Sequence, residues 1–170
     1  MDFLKLAGER FSMRQFNAQA LSREHIDLIL EAGRLAPTAK NLQPQKIFVL
    51  NSEESLSKLL KCRESIFGAK TAFLVCYDKN ESWKRDCDGL DSGYVDATIV
   101  ATHMMLQAQS IGVGTTFIMW YDVYKLKEEF RLAENIEPVC VLAAGYPCEA
   151  THPSRLHSDR KPLSKTVEFI

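Results

Sequence analysis

The 170-residue chain has no CxxC pair, and its five cysteines, Cys62, Cys76, Cys87, Cys140 and Cys148, are odd in number. A disulfide framework is therefore not expected; free thiols in a reducing, cytoplasmic setting are. Charge of neither sign is in excess, since 21 Lys and Arg face 22 Asp and Glu for a net charge of -1. That leaves no electrostatic case for nucleic acid or for an anionic membrane as a partner. No apolar run approaches the roughly 20 residues that a membrane helix needs. Met1-Asp2-Phe3 opens without a basic or apolar leader, so no secretory signal is expected. Internal repeats and low-complexity segments are absent, and no Ser-His-Asp set or carboxylate pair stands out. Gly112-Val113-Gly114 is not a dinucleotide fingerprint, because the third glycine position holds Phe117. Cys148, His152 and His157 are zinc-ligand types close together, with Cys140 upstream, but their spacing matches no common zinc motif.

What remains is an ordinary globular composition, 46% hydrophobic and 25% charged, long enough for a real core and read as one domain over 1–170. The stretch Ala36-Pro37-Thr38-Ala39-Lys40-Asn41-Leu42-Gln43-Pro44-Gln45 organises it. Its two prolines stop the preceding helix and keep the loop extended. Thr38, Asn41, Gln43 and Gln45 supply short hydrogen-bonding side chains. Such a loop is either a plain structured turn or a rigid polar cradle for a planar ligand. A second stretch, Arg10-Phe11-Ser12-Met13-Arg14-Gln15-Phe16, alternates polar and apolar residues. If extended, it puts Arg10, Ser12 and Arg14 on one face and Phe11 and Met13 on the other. Two guanidinium groups flanking a hydroxyl suit a phosphate; surface arginines paired with nearby acids are the alternative.

Along the chain, the periodicity predicts a short helix over 2–8 and a helix over 23–35 capped by Ser22, with Gly33 marking close packing. Strands are predicted over 46–50, 71–77, 115–119 and 138–145, and helices follow Ser52 and Asp122. The charged segment 78–90 reads as a mobile excursion. The 92–111 segment is a helix apolar nearly all round, expected at the centre of the fold or in a subunit interface. Strands and helices alternate without a clean doubly wound order, so an α+β fold is expected, a mixed sheet with helices on both faces.

The two motifs, in this order and at this spacing, resemble the nitroreductase family of FMN-dependent oxidoreductases. The resemblance continues from Asp96 to Thr116 and into the tail. It implies the nitroreductase-like mixed sheet and an intertwined homodimer with exchanged termini, to which the strand-like 167–170 end would contribute. It implies FMN as cofactor, with NADH or NADPH as electron donor and a nitroaromatic, quinone or similar small molecule as acceptor. The chemistry then belongs to the flavin, and no catalytic side chain is required. By the same resemblance Arg10, Phe11, Ser12 and Arg14 bind phosphate and ribityl groups. Pro37, Thr38, Ala39, Asn41 and Gln43 wrap the flavin from the partner subunit, and Phe117, Ile118 and Met119 lie against its ring. Arg160 and Lys161 supply further cations for the phosphate. Many relatives have glycine where this chain has Trp120, a departure that would place a bulky wall at the site. The chain is short around 61–92, where larger relatives carry a flavin-contacting lysine; Lys70 is the nearest candidate. A flavin-binding sensor or store with little turnover, and a dimer with a vestigial site, are the rival readings.

Overall fold

A computed structural model describes residues 2–170. Its helices begin where short polar side chains can accept the first free backbone N–H groups. Asp2 caps α1 (Phe3–Glu9), Ser22 caps α2 (Arg23–Arg34), and Ser52 forms a capping box with Ser55 at α3 (Glu53–Cys62). The remaining helices are α4 (Gly93–Ser110) and α5 (Val123–Glu129), the latter capped by Asp122. Gly112, with φ of 75°, ends α4, and the next amide, Val113 N–H, returns to Ala108 O at 2.9 Å.

The strands are β1 (Gln45–Leu50), β2 (Thr71–Asp78), β3 (Gly114–Ile118) and β4 (Ile136–Gly145), in the sheet order β1-β2-β4-β3. Every pair of neighbours is antiparallel. The sheet is thus antiparallel where a mixed one was expected, and among the described residues the parallel pairing is the isolated bridge of Ser12 to Thr115. The long α4 between β2 and β3 takes the chain across to the far edge, and β4 then returns between them. A register shift at Val75/Cys76 pairs Val75 with Cys140 and Cys76 with Pro138. That bulge accommodates Pro138 inside a central strand, beyond the end of β3.

Helices cover both faces. On one, α2 and α4 enclose Phe73, Val75, Leu142 and Ala144; on the other, α3 and α5 enclose Leu74, Ala72, Val141 and Ala143. Each fully buried Phe, Leu or Val contributes about 1.5–3 kcal/mol. Gly33 allows the α2–α4 contact, since a Cβ there would stand 3.0 Å from Met104 Cγ. Ala97, Val100, Ala101, Met104 and Ala108 form the buried stripe of α4, whereas Tyr94 and Val95 on its other side are exposed. The 78–90 segment, expected to be mobile, is tied down by hydrogen bonds. Lys79 N–H donates to Asn135 O, Ser92 N–H to Trp83 O, and Lys84 Nζ to Asp91 Oδ2 at 2.8 Å. Among the described residues no helix is long and apolar enough to cross a membrane.

Candidate functional site

The stretch after α1 is held extended by the edge of β3. Met13 N–H donates to Thr115 O at 3.0 Å, and the Thr116 hydroxyl donates to Met13 O. Gly114 makes room for this approach: a Cβ there would lie 2.2 Å from Met13 Sδ. Downstream, Phe16 bridges Pro147, and the Thr151 hydroxyl donates to Gln15 O at 2.9 Å. Met13 is thereby buried in the core, and Arg10, Ser12 and Arg14 face the chain beyond β4, as the alternation predicts; Phe11, expected on the Met13 face, instead turns to the same side as the arginines, against His157 of the tail.

There the tail folds back over them. Arg10, Phe11, Ser12 and Arg14 line a cavity of about 270 Å³ whose opposite wall is Ser154, Leu156, His157 and Arg160. A second hollow of about 230 Å³ shares Ser12, Arg14 and Ser154 with it and adds Gln15, Thr151 and His152. The His157 ring meets Phe11 edge-on, centroids 6.0 Å apart. Burial, and then the nearby charge of Arg160, pull the Arg10 guanidinium below its ordinary value. Among the described residues no ion pair involves Arg10, Arg14 or Arg160. Cations gathered without a carboxylate are arranged to receive an anion. Lys161 is exposed and does not line the cavity.

From Arg14 an aromatic relay leads to the end of β3. The Phe67 ring is approached by two guanidinium groups, Arg14 at 6.0 Å and Arg63 at 5.5 Å from its centroid. Burial lowers the Arg63 guanidinium against the opposing effect of Glu64, and its Nε is buried without a hydrogen-bond partner. Arg63 also lines a cavity of about 490 Å³ with Leu60, Met119, Trp120 and Tyr121. Of the three residues singled out here in the sequence, Met119, just past the end of β3, lines this cavity, Phe117 packs against the α2–α4 core, and the Ile118 side chain belongs to the core under α3 and α5. Trp120 is 84% exposed. Lys70, also exposed, lines a different groove beside α3.

The polar loop lies elsewhere in the chain. Pro37, Asn41 and Gln43 are exposed, and Thr38 and Ala39 half-buried. Lys40, Asn41 and Gln43 have positive φ of 50°, 55° and 52°, an unusual cluster for residues with side chains. Gln43 N–H donates to the Thr38 hydroxyl at 3.0 Å, Ala39 N–H to Asp96 Oδ1 at 2.9 Å, and Lys40 Nζ stands 5.6 Å from the centre of the Trp83 ring. None of these loop residues lines the cavity of Arg10.

A model of the nitroreductase family matches residues 7–66 and 57–146. The chain belongs to that family. Among solved structures, a nitroreductase family protein from Clostridium difficile 630 is 36% identical, with 99% of this chain and 98% of that one aligned and a TM-score of 0.94. A chain from Exiguobacterium sibiricum 255-15, crystallised in complex with FMN, shares the fold with a TM-score of 0.86 over 100% of this chain and 98% of its own, at 21% identity. A Methanothermobacter thermautotrophicus protein, provisionally named NADH dehydrogenase/NAD(P)H nitroreductase, is 26% identical over 94% of this chain and 88% of its own length. Reading the sequence alone missed Arg63, Phe67 and Asp96. The signal for Asp96 was present: it is the one charged residue in the apolar α4.

Proposed function

We propose that this nitroreductase-family chain is an FMN-dependent NAD(P)H oxidoreductase, built as one FMN-binding domain over 1–170. The observation that carries the proposal is the cavity in which Arg10, Arg14 and Arg160 converge without an acid. The donor set fits a phosphate monoester, with Ser12 adding a hydroxyl beside the guanidinium forks. Phe11 belongs to the same wall. Pro37, Thr38, Ala39, Asn41 and Gln43 would offer amide and hydroxyl partners to the ribityl chain and the polar edge of the ring. The backbone of Phe117, Ile118 and Met119 would lie against that ring, since the Ile118 side chain is taken up by the core. Lys161 would add long-range charge to the phosphate. The chemistry FMN supplies when bound is hydride acceptance from NADH or NADPH and electron delivery to a nitroaromatic, quinone or similar acceptor, in alternating ping-pong order. Trp120, beside Met119, would wall the acceptor's side of the site.

A second copy of the chain completes this arrangement. Support comes from apolar surface that one chain leaves open: Phe3 and Leu4 on α1, Tyr94 and Val95 on α4, and Phe169 at 97% exposure in the tail. β1 is also an edge strand with a single neighbour, able to accept an extended segment such as 167–170. Among the described residues that end pairs with no strand of its own chain. We place the protein in the cytoplasm, which supplies NAD(P)H and keeps the exposed Cys87 thiol reduced.

The test is anaerobic stopped-flow mixing of the purified yellow protein with NADH or NADPH. Bleaching of bound flavin, followed by its return on adding a quinone or nitroaromatic, is expected, and released flavin should run with FMN. Bound flavin that neither nucleotide bleaches would mark a sensor or store; a colourless protein that takes up no FMN would remove the flavin reading altogether.

A further inference from the structure

Asp96 is a buried acid in a helix that otherwise presents apolar residues to the core. It is 3% exposed, and both its oxygens are occupied. Oδ2 accepts from the Ser92 hydroxyl at 2.7 Å, and Oδ1 accepts from the backbone N–H of Ala39 at 2.9 Å. Ser92 stands at the N-cap position of α4, yet its side chain caps nothing there. Its hydroxyl is committed to Asp96 instead, and Asp91 serves the helix start, its Oδ1 accepting from Gly93 N–H at 2.8 Å. The amide that Asp96 holds lies 57 positions away in the chain, at the start of the 37–43 loop.

That loop needs an anchor. Three of its residues, Lys40, Asn41 and Gln43, sit in the left-handed region without being glycine. Such conformations persist only where surrounding contacts over-determine them. Ala39 opens the short 3-10 turn Ala39–Asn41 after the extended Thr38, and the first positive φ, 50°, comes at the next residue, Lys40. The Asp96 hydrogen bond therefore holds the residue at which the turn opens. The bond from Gln43 N–H to Thr38 closes the turn at its other end.

From this geometry we infer that Asp96 is a positioning residue: it locks the 37–43 loop in the arc that presents Thr38, Asn41 and Gln43 to the cofactor. The inference rests on the flavin reading of the loop given above. It assigns Asp96 no contact with flavin, substrate or any reacting atom. What acts is the hydrogen-bond pair and not the charge. Asparagine at 96 would keep both bonds, its oxygen accepting from Ala39 N–H and its amide donating to the Ser92 oxygen.

The experiment compares wild type with Asp96→Ala and Asp96→Asn by FMN titration and by amide hydrogen exchange of the flavin-free protein. Asp96→Ala should raise the FMN dissociation constant at least tenfold and speed exchange at 39–43 at least tenfold, while β2 and β4 stay protected. Asp96→Asn should return both quantities to within about threefold of wild type. Where Asp96→Ala does not fold, Ala39→Pro removes the same bond from the loop side, at a position that opens the 3-10 turn and whose extended predecessor Thr38 suits proline. Its loop amides should then exchange faster. Wild-type exchange at 40–43 in Asp96→Ala or in Ala39→Pro, wild-type FMN affinity in Asp96→Ala, or an Asp96→Asn protein as impaired as Asp96→Ala would each overturn the inference. A wild-type protein that binds no FMN would instead overturn the functional reading beneath it.

Discussion

Arg10 is half-buried beside a second cation, with no acid to neutralise it. Such a charge is costly in the free protein and relieved by a bound anion. Replacing Arg10 or Arg160 by alanine should therefore weaken FMN binding far more than it weakens the fold. A hydrogen bond to a charged group is worth about 1.5–3 kcal/mol. Each loss should raise the flavin dissociation constant by about ten- to a hundredfold, measured by fluorescence quenching on titration with FMN, with the melting temperature little changed. Wild-type affinity in both variants would place the phosphate elsewhere. At this scale the sequence was legible in part. Alternation over 10–16 predicted that Arg10, Ser12 and Arg14 share a face and that Met13 is buried, but it misplaced Phe11, which the returning tail draws into the cationic wall beside His157. That Arg160 comes to stand near Arg10, 150 positions away, depends on how the tail folds back, and only the family resemblance pointed to it. A lone acid in the apolar α4 marks Asp96 in the sequence, but that one of its partners is the backbone amide of Ala39, 57 positions away, leaves no mark there.

The helices were the most legible elements, because Ser22, Ser52 and Asp122 announce their own starts and each accepts the hydrogen bond expected of it. Strand direction was not legible. A run such as 71–77, buried on both faces, reads the same in a parallel or an antiparallel sheet; here the packing of helices on both sides explains the burial and the strands are antiparallel. The coupling between β3 and the 10–16 segment gives an element-scale prediction. Gly114→Ala would drive a methyl into Met13 and shift the extended segment that carries Arg10 and Arg14. Overpacking of this kind costs about 1–3 kcal/mol, and FMN affinity should fall with it. A lowered melting temperature with unchanged flavin affinity would show the cationic face to be independent of β3. In β4, burial works against the charge of Glu137, but hydrogen bonds from Lys127 and Lys79 outweigh it and hold the carboxyl below its ordinary value. A group depressed on folding stabilises the fold above its unfolded pKa, about 4.3 for Glu, and ceases to do so as pH falls through the folded value. Glu137→Gln should therefore melt below wild type at pH 7, and the two melting curves should converge in acid.

At the scale of the whole molecule, the two motifs that organise the sequence have different neighbours in one chain. The cationic segment lies between β3 and the tail, and the polar loop lies against the start of α4 and Trp83. Helix α2 separates them in sequence, 12 residues long and so about 18 Å at 1.5 Å per residue. The proposed two-fold pairing, with the 10–14 segment of one copy against the 37–43 loop of the other, would give two composite sites. The direct measurement is the flavin content of a purified mixed dimer, one chain carrying Arg10→Ala and Arg14→Ala, the other Thr38→Ala and Asn41→Ala. Composite sites predict one intact and one doubly damaged site in each mixed dimer, and hence half the wild-type FMN. Sites built within a single chain would leave both damaged, and a mixed dimer that recovers no FMN would contradict the account.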